Sequence, residues 1–256
     1  MCGIAGKVSF KEGNSLFLET TQNELKLMLG HLAHRGPDDE GIWSDEKGLA
    51  FLGHRRLSII DVSSRANQPM LSSCSRYACA FNGEIYNFME LRDYLISRGR
   101  VFKTDSDTEV LIEMFSFHGI EETIKKINGM FSISLWDKKL DTLYLIRDRV
   151  GKKPLYYSIL NNNLTFASEI KAIVSDQRNL LNINTNSASE FFSLGYIPGN
   201  ETIYKEIKEV KPGHVLEFSS KGIKEKCYWS ASFNQEIEIT YQDALQEVDR
   251  LLRLAI

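Results

Sequence analysis

The sequence predicts an α+β domain built in layers, with short strands and amphipathic helices packed around shared apolar cores. Many short apolar stretches alternate like strands and are separated by turn residues, and the helical patterns fall between them in pairs. The chain has 256 residues, 43% hydrophobic and 25% charged, which is the balance of an ordinary globular protein. This length suits one large domain and part of a second.

Composition excludes several classes of function. The net charge is −3 without a basic cluster, so no nucleic-acid partner is expected. The chain lacks a secretory signal and any run of about eighteen apolar residues, so it predicts no membrane partner and a cytoplasmic location. The cysteines form no CxxC pair and have no histidines at zinc-ligand spacing, so no metal is expected. Cys74 and Cys79 are interpreted as packing residues.

The first residues, MCGIAGK, contain the candidate nucleophile. If Met1 is removed, Cys2 carries a thiol and a free α-amine, with reference pKa values of about 8.5 and 7.7 to 8.0. The amine can then accept the thiol proton during attack. The alternative is that Cys2 is an ordinary small apolar residue, and this segment alone favours that interpretation.

Residues 4–10 are predicted to form a strand and residues 16–32 a helix, because apolar residues recur there at helical spacing. His34 and Arg35 precede Gly36 and a proline, which is typical of a helix C-terminus. These two basic residues are therefore expected either to cap the helix or to belong to a site, and both alternatives stay open.

Residues 41–43 and 49–60 are predicted strands, and the second contains His54, Arg55 and Arg56 between apolar runs. Neighbouring residues of a strand point to opposite faces, so one of the two arginines must find an anion. A guanidinium is suited to binding an α-carboxylate with two hydrogen bonds. A structural ion pair is the alternative, and it is slightly favoured here.

A predicted strand at residues 76–81 leads into Asn82, Gly83 and Glu84. Asn-Gly after a strand indicates a hairpin turn, because both residues tolerate positive φ. The alternative is chemical, because an exposed glycine N–H beside an asparagine amide can bind an oxyanion. Taken alone, the turn is favoured.

Two helices are predicted next, one over residues 87–98 and one opened by Ser106, with Glu109 at capping-box spacing. Asp107 lies in the first turn, where it complements the helix dipole or receives an ammonium group. Scaffold strands follow, predicted at 129–136, 142–146, 155–159 and 164–167.

The pattern loosens after residue 187, which indicates the approach to a domain boundary. Residues 241–256 then form a predicted amphipathic helix without a stop signal. We therefore expect the chain to be a piece of a longer protein.

In order, these segments resemble the glutaminase domain of class II glutamine amidotransferases, the N-terminal-nucleophile family, and most closely that of glutamine-dependent asparagine synthetases. The motifs that carry the resemblance are MCGIAG, HRGPDDEG, GHRRLSIID, NQPM, NGEIYNF, SDTEV, RDRVGKKPLYY and ASEIKAI. The resemblance implies an αββα sandwich of two antiparallel sheets between helix layers. It also implies a glutaminase domain over residues 2–218, followed at 219–256 by a linker and the first helix of a synthetase domain.

The resemblance implies roles for six residues. Cys2 attacks the glutamine amide, and Asn82 with the Gly83 N–H forms the oxyanion hole. Arg56 binds the substrate α-carboxylate, while Glu84 and Asp107 bind its α-ammonium group. Ammonia would then pass to a synthetase domain.

The 256 residues contain no SGGxDS-type pyrophosphate loop, so no cofactor is expected in this chain. ATP and Mg are expected for the synthetase domain, and glutamine hydrolysis alone for the chain as given. Two alternatives stay open: an amidotransferase with another carboxylate acceptor, and a non-catalytic interaction module. The oligomeric state is also open, with a homodimer as one arrangement.

Overall fold

Two six-stranded sheets, each wholly antiparallel, form the centre of this computed structural model, which describes residues 1–10, 15–233 and 237–255. The strands are β1 (Gly3–Ser9), β2 (Asp39–Ser44), β3 (Ala50–Arg56), β4 (Met70–Leu71), β5 (Tyr77–Ile85), β6 (Gly129–Asp137), β7 (Thr142–Arg147), β8 (Tyr156–Leu160), β9 (Asn163–Ala167), β10 (Ile207–Glu209), β11 (His214–Ser219) and β12 (Gly222–Cys227). The first sheet has the order β10-β8-β9-β1-β3-β2, and the second has the order β12-β11-β7-β6-β5-β4.

Helices α1 (Ser15–Gly30) and α5 (Ile170–Gln177) cover the outer face of the first sheet, and α2 (Phe88–Ser97), α3 (Asp107–His118) and α4 (Ile120–Lys126) cover that of the second. Two further helices, α6 (Thr185–Leu194) and α7 (Tyr241–Ala255), are largely exposed. One apolar core lies between the sheets, a second joins α1 and α5 to the first sheet, and a third joins α2, α3 and α4 to the second sheet. The predicted αββα sandwich is therefore confirmed.

The predicted hairpin turn at Asn82 and Gly83 is wrong, because β5 continues through both residues. Asn82 pairs with Ser132 and Gly83 with Phe131 on β6. A Cβ at Gly83 would lie 2.2 Å from the Met130 carbonyl oxygen. Glycine is needed here for the close approach of two strands, and the local signal could not distinguish that need from a turn.

The interpretation of His34 and Arg35 as caps is also wrong, because α1 ends at Gly30 and both residues lie in the turn beyond it. Gly36 serves close packing, since a Cβ there would lie 2.3 Å from the Arg55 carbonyl carbon. Among the cysteines, Cys79 is a packing residue as predicted, whereas Cys74 is exposed.

The segment assigned to a linker contains structure. β12 pairs with β11 at the edge of the second sheet. Further on, α7 exposes an apolar stripe in which Leu245, Val248 and Leu251 are each more than half exposed, at 52%, 54% and 51%. The domain boundary at residue 218 stays a prediction.

Candidate active site

Four chain segments meet at one end of the sandwich. β1 begins there at Gly3, which pairs with Arg55 near the end of β3. The last residues of β5 and the first residue of α3 adjoin them, since the Ile85 N–H donates to Asp107 Oδ2 at 3.1 Å. This arrangement places Cys2, directly before β1, beside segments that are far apart in sequence.

The Cys2 thiol lies against the chain that leaves β3. The Leu57 N–H points at Cys2 Sγ at 3.4 Å, and Sγ lies 3.7 Å from the Leu57 carbonyl oxygen. Burial raises the pKa of the Cys2 thiol, and this effect outweighs the opposing influence of the Leu57 N–H, the N-terminal charge and Arg56. The thiol is therefore protonated at neutral pH, and a base must remove its proton when it reacts.

Arg56 is a buried cation held by oxygen acceptors. Its guanidinium donates to the Asn67 side chain at 2.6 Å, to the Ser63 carbonyl at 2.9 Å and to the Asp61 carbonyl. Among the described residues it forms no ion pair, in contrast to its neighbour Arg55, which pairs with Glu40 at 2.8 Å. The positive charge of Arg56 is therefore fixed in place and not neutralised.

Asp107 is a buried acid at the start of α3. Ser106 caps the helix, since its Oγ accepts from the Thr108 N–H at 3.1 Å. Glu109 instead binds the backbone of residues 103 and 104, so only half of the predicted capping box forms. Burial raises the pKa of Asp107 to about 6, with the Glu84 charge adding to it, while the Ile85 and Thr108 N–H groups oppose the shift.

Asn82 and Glu84 extend from the same face of β5 as Ala78 and Ala80, whose side chains belong to the core between the sheets. Asn82 is 1% exposed, and its amide donates to Ser132 Oγ at 3.4 Å. His54 ties β3 to this strand through a hydrogen bond of 3.1 Å to the Phe81 carbonyl, and burial lowers its pKa to about 3. His54 is thus neutral and structural.

A pocket at this end of the sandwich brings together three of the six predicted site residues, Cys2, Arg56 and Asp107. Asn82, Gly83 and Glu84 do not line it. They lie near the end of β5, where Glu84 is exposed and its charge is close enough to raise the pKa of Asp107. The remaining lining is Leu57, Ile59, Ile60, Asp61, Ala66, Gln68, Ser106 and Thr108.

Two residues of the site region were not predicted. Gln68 joins β5 to α3, because its side chain accepts from the Phe81 N–H at 2.7 Å and donates to Thr108 Oγ1 at 3.1 Å. Glu169 binds Arg35 at 2.8 Å, and Arg35 in turn contacts the Cys2 carbonyl. Local sequence patterns carry no signal for these contacts, which join residues between 13 and 134 positions apart.

Residues 1–229 match the family model described as the glutamine amidotransferase domain. The chain belongs to this family.

The curated relatives include glutamine-hydrolysing asparagine synthetases of Bacillus subtilis. Asparagine synthetase 3 is 35% identical over 260 residues, which cover 100% of this chain and 41% of that protein. Asparagine synthetase 1 is 40% identical over 235 residues, covering 91% of this chain and 36% of that protein. The chain thus spans less than half the length of these relatives.

A solved structure has the same fold. Glutamine phosphoribosylpyrophosphate amidotransferase from B. subtilis, complexed with ADP and GMP, superimposes with a TM-score of 0.65 at 21% identity. The match covers 91% of this chain and 50% of that one. At this identity the similarity concerns the fold alone. Within the described residues, no helix has both the length and the apolar character needed to cross a membrane.

Proposed function

We propose that this chain hydrolyses glutamine to glutamate and ammonia, with Cys2 as the nucleophile. The observation that carries the proposal is the pocket that places a thiol, an unneutralised guanidinium and a buried carboxylate together, in Cys2, Arg56 and Asp107. Glutamine presents the complementary groups: an amide, an α-carboxylate and an α-ammonium group. Membership of the glutamine amidotransferase domain family supports the same reaction.

In the proposed mechanism, removal of Met1 frees the α-amine of Cys2, and Met1 is 59% exposed. The amine takes the thiol proton as Sγ attacks the amide carbon, and the oxyanion forms near Asn82 and the Gly83 N–H. The amine then returns the proton to the leaving nitrogen, so ammonia departs and a thioester remains. Water, activated by the same amine, hydrolyses the thioester to glutamate.

Arg56 would bind the substrate α-carboxylate, and Asp107 with Glu84 would bind the α-ammonium group. The raised pKa of the Cys2 thiol supports a mechanism with a built-in base, because little thiolate is present at neutral pH. Binding groups on both sides of the thiol would hold the amide carbon at the distance needed for attack.

The ammonia would be used by a synthetase domain that amidates aspartate with ATP and Mg. This part of the proposal rests on the similarity to the two asparagine synthetases, which are more than twice as long as the matching region. An amidotransferase with another carboxylate acceptor is the alternative. Mass spectrometry of the products formed from a panel of carboxylates by the longer protein would separate the two.

The test of the hydrolytic function combines N-terminal mass spectrometry with a glutamate-release assay. We expect Met1 to be absent, wild type and the control Cys227→Ala to release glutamate, and Cys2→Ala to release none. Cys227 is a suitable control because it is exposed and does not line the pocket. Glutamate release by Cys2→Ala, or retained Met1 in an active protein, would contradict the proposed mechanism.

A further inference from the structure

A cavity lies on the outer face of the second sheet, away from the candidate active site. Its volume is about 570 Å³, which is in the range of small-molecule binding sites. It shares no lining residue with the pocket of Cys2. The helix layer ends here at the start of α4, and the β11–β12 hairpin continues beyond it.

The cavity walls are mainly apolar and aromatic. Ile120 and Ile124 of α4 face Tyr144 and Val215 of the sheet, with Leu140 at one side. Tyr144 is 9% exposed, and burial raises its pKa to about 12, so the hydroxyl remains neutral and can donate a hydrogen bond.

Most charged groups around the cavity are already paired. Arg76 binds Asp137 with an Nη2 to Oδ2 distance of 2.6 Å. Lys211 binds Glu225 at 2.7 Å. Lys226 of β12 forms an ion pair with Glu121 of α4 across the opening, and both side chains are largely exposed. An exposed pair of this kind contributes little and can open at small cost.

Glu217 and Lys224 are the exceptions. They lie directly opposite each other on β11 and β12, and both line the cavity. Leu216 and Phe218 point into the core between the sheets. Because side chains alternate along a strand, Val215 and Glu217 point outward from β11. Within the described part of the chain, neither charge forms an ion pair or a hydrogen bond, although directly opposed side chains are close enough to interact.

We propose that this cavity binds a free α-amino acid with an aromatic side chain. The ammonium group of the ligand binds Glu217, its carboxylate binds Lys224, and its ring packs among Ile120, Ile124 and Tyr144. The short separation of two opposite charges on adjacent strands matches the short separation of the two charges in an amino acid. This site is independent of the proposed glutamine site, and its occupancy does not depend on Cys2.

The test uses the full chain and L-phenylalanine as the probe, with binding measured by saturation-transfer NMR and calorimetry. Phenethylamine lacks the carboxylate and 3-phenylpropionate lacks the ammonium group, so each removes one of the two charge contacts. We expect both to bind about tenfold or more weakly than L-phenylalanine, as do Glu217→Gln and Lys224→Met.

Lys221→Met is the matched control, because Lys221 lies in the same hairpin but does not line the cavity, and it should bind like wild type. Asp107→Asn should also bind normally, which excludes occupation of the glutamine site. The proposal is overturned by absence of saturable binding at roughly 10 mM probe. Equal binding of all three ligands, or unchanged affinity in both cavity variants, would also overturn it.

Discussion

The Arg35 guanidinium donates its Nε–H to the Cys2 carbonyl oxygen at 2.9 Å, while its Nη1 binds Glu169 at 2.8 Å. Arg35 is 8% exposed, so both bonds are largely shielded from water. Burial alone would raise the pKa of Glu169, but hydrogen bonds from Arg35, Lys171 and His34 hold it at about 2. A charged pair therefore fixes the main chain of the residue that carries both the proposed nucleophile and the proposed base.

Arg35→Met should lower glutaminase turnover by about 100-fold, because the thiol and the α-amine of Cys2 lose their anchor and small displacements at a reacting group are costly. The KM for glutamine should change much less, since Arg35 does not line the pocket. Steady-state kinetics on protein with a verified N-terminus measures both values. Arg55→Met is the control, and equal losses in the two variants would show a general effect of removing an arginine.

Asn82→Ala tests the proposed oxyanion hole. Loss of one oxyanion donor should lower kcat on the order of 10²- to 10³-fold, with a small change in KM, because the amide nitrogen would bind charge that develops only during attack. Ser132→Ala is the control, since it removes the hydroxyl that now accepts from the Asn82 amide at 3.4 Å. A variant of Asn82 with raised KM and normal kcat would show that Asn82 binds substrate in the ground state instead.

Arg56→Lys tests recognition of the α-carboxylate. Lysine keeps the charge but cannot bind a carboxylate with a planar pair of donors while also contacting Ser63 and Asn67. We expect KM for glutamine to rise about tenfold or more, with kcat less affected. Arg55→Lys, whose side chain pairs with Glu40 outside the pocket, should behave like wild type.

Most elements were predictable, because alternation and helical spacing are local properties of the chain, whereas the αββα layer order was implied by the family resemblance alone. Arg55 and Arg56 show where prediction from the sequence succeeded and where it failed. Strand alternation predicted that Arg55 and Arg56 face opposite ways, and they do, one paired with Glu40 and one held in the pocket. Alternation alone did not indicate which of them faces the pocket, and the predicted strand continued to residue 60, past its observed end at Arg56.

The contacts that complete the site were not predictable, because they depend on distant segments. Gly83 looked like a turn residue, yet it is needed for the approach of β6. Arg35 looked like a helix cap, yet its partner Glu169 lies 134 residues away in sequence. Local patterns indicated what kind of contact each residue can make, whereas tertiary packing decided which residues it contacts.

Glutamine binding should weaken below pH 6. Asp107 has a pKa of about 6, so it is charged at pH 8 and mostly protonated at pH 5, where it no longer attracts an ammonium group. In the Cys2→Ala background, which removes the reaction, Kd for glutamine should rise about tenfold between these pH values. Calorimetry should show this dependence in the control Asp105→Asn, because the Asp105 side chain is itself largely exposed, and a flat, weak profile in Asp107→Asn.

The same carboxyl group should also reduce the stability of the fold at neutral pH. The folded-state pKa of about 6 lies above the ordinary value of 3.8, so the folded protein binds more protons than the unfolded chain between these values. The favourable contribution of Asp107 to the free energy of unfolding is therefore complete below about pH 4 and is lost as the pH rises through 6. A shift of about two units corresponds to on the order of 3 kcal/mol.

Asp107→Asn should consequently unfold at higher denaturant concentration than wild type at pH 8, while the difference shrinks toward pH 4. An asparagine at this position can still accept a hydrogen bond from the Ile85 N–H. The gain in stability is limited mainly because a neutral acceptor forms weaker hydrogen bonds than a carboxylate. Urea unfolding at the two pH values measures the effect, with Asp105→Asn as the control. A variant that is less stable than wild type at pH 8 would show that the hydrogen bonds to the charged carboxylate outweigh the cost of burying it, and that the acid is structural as well as a candidate binding group.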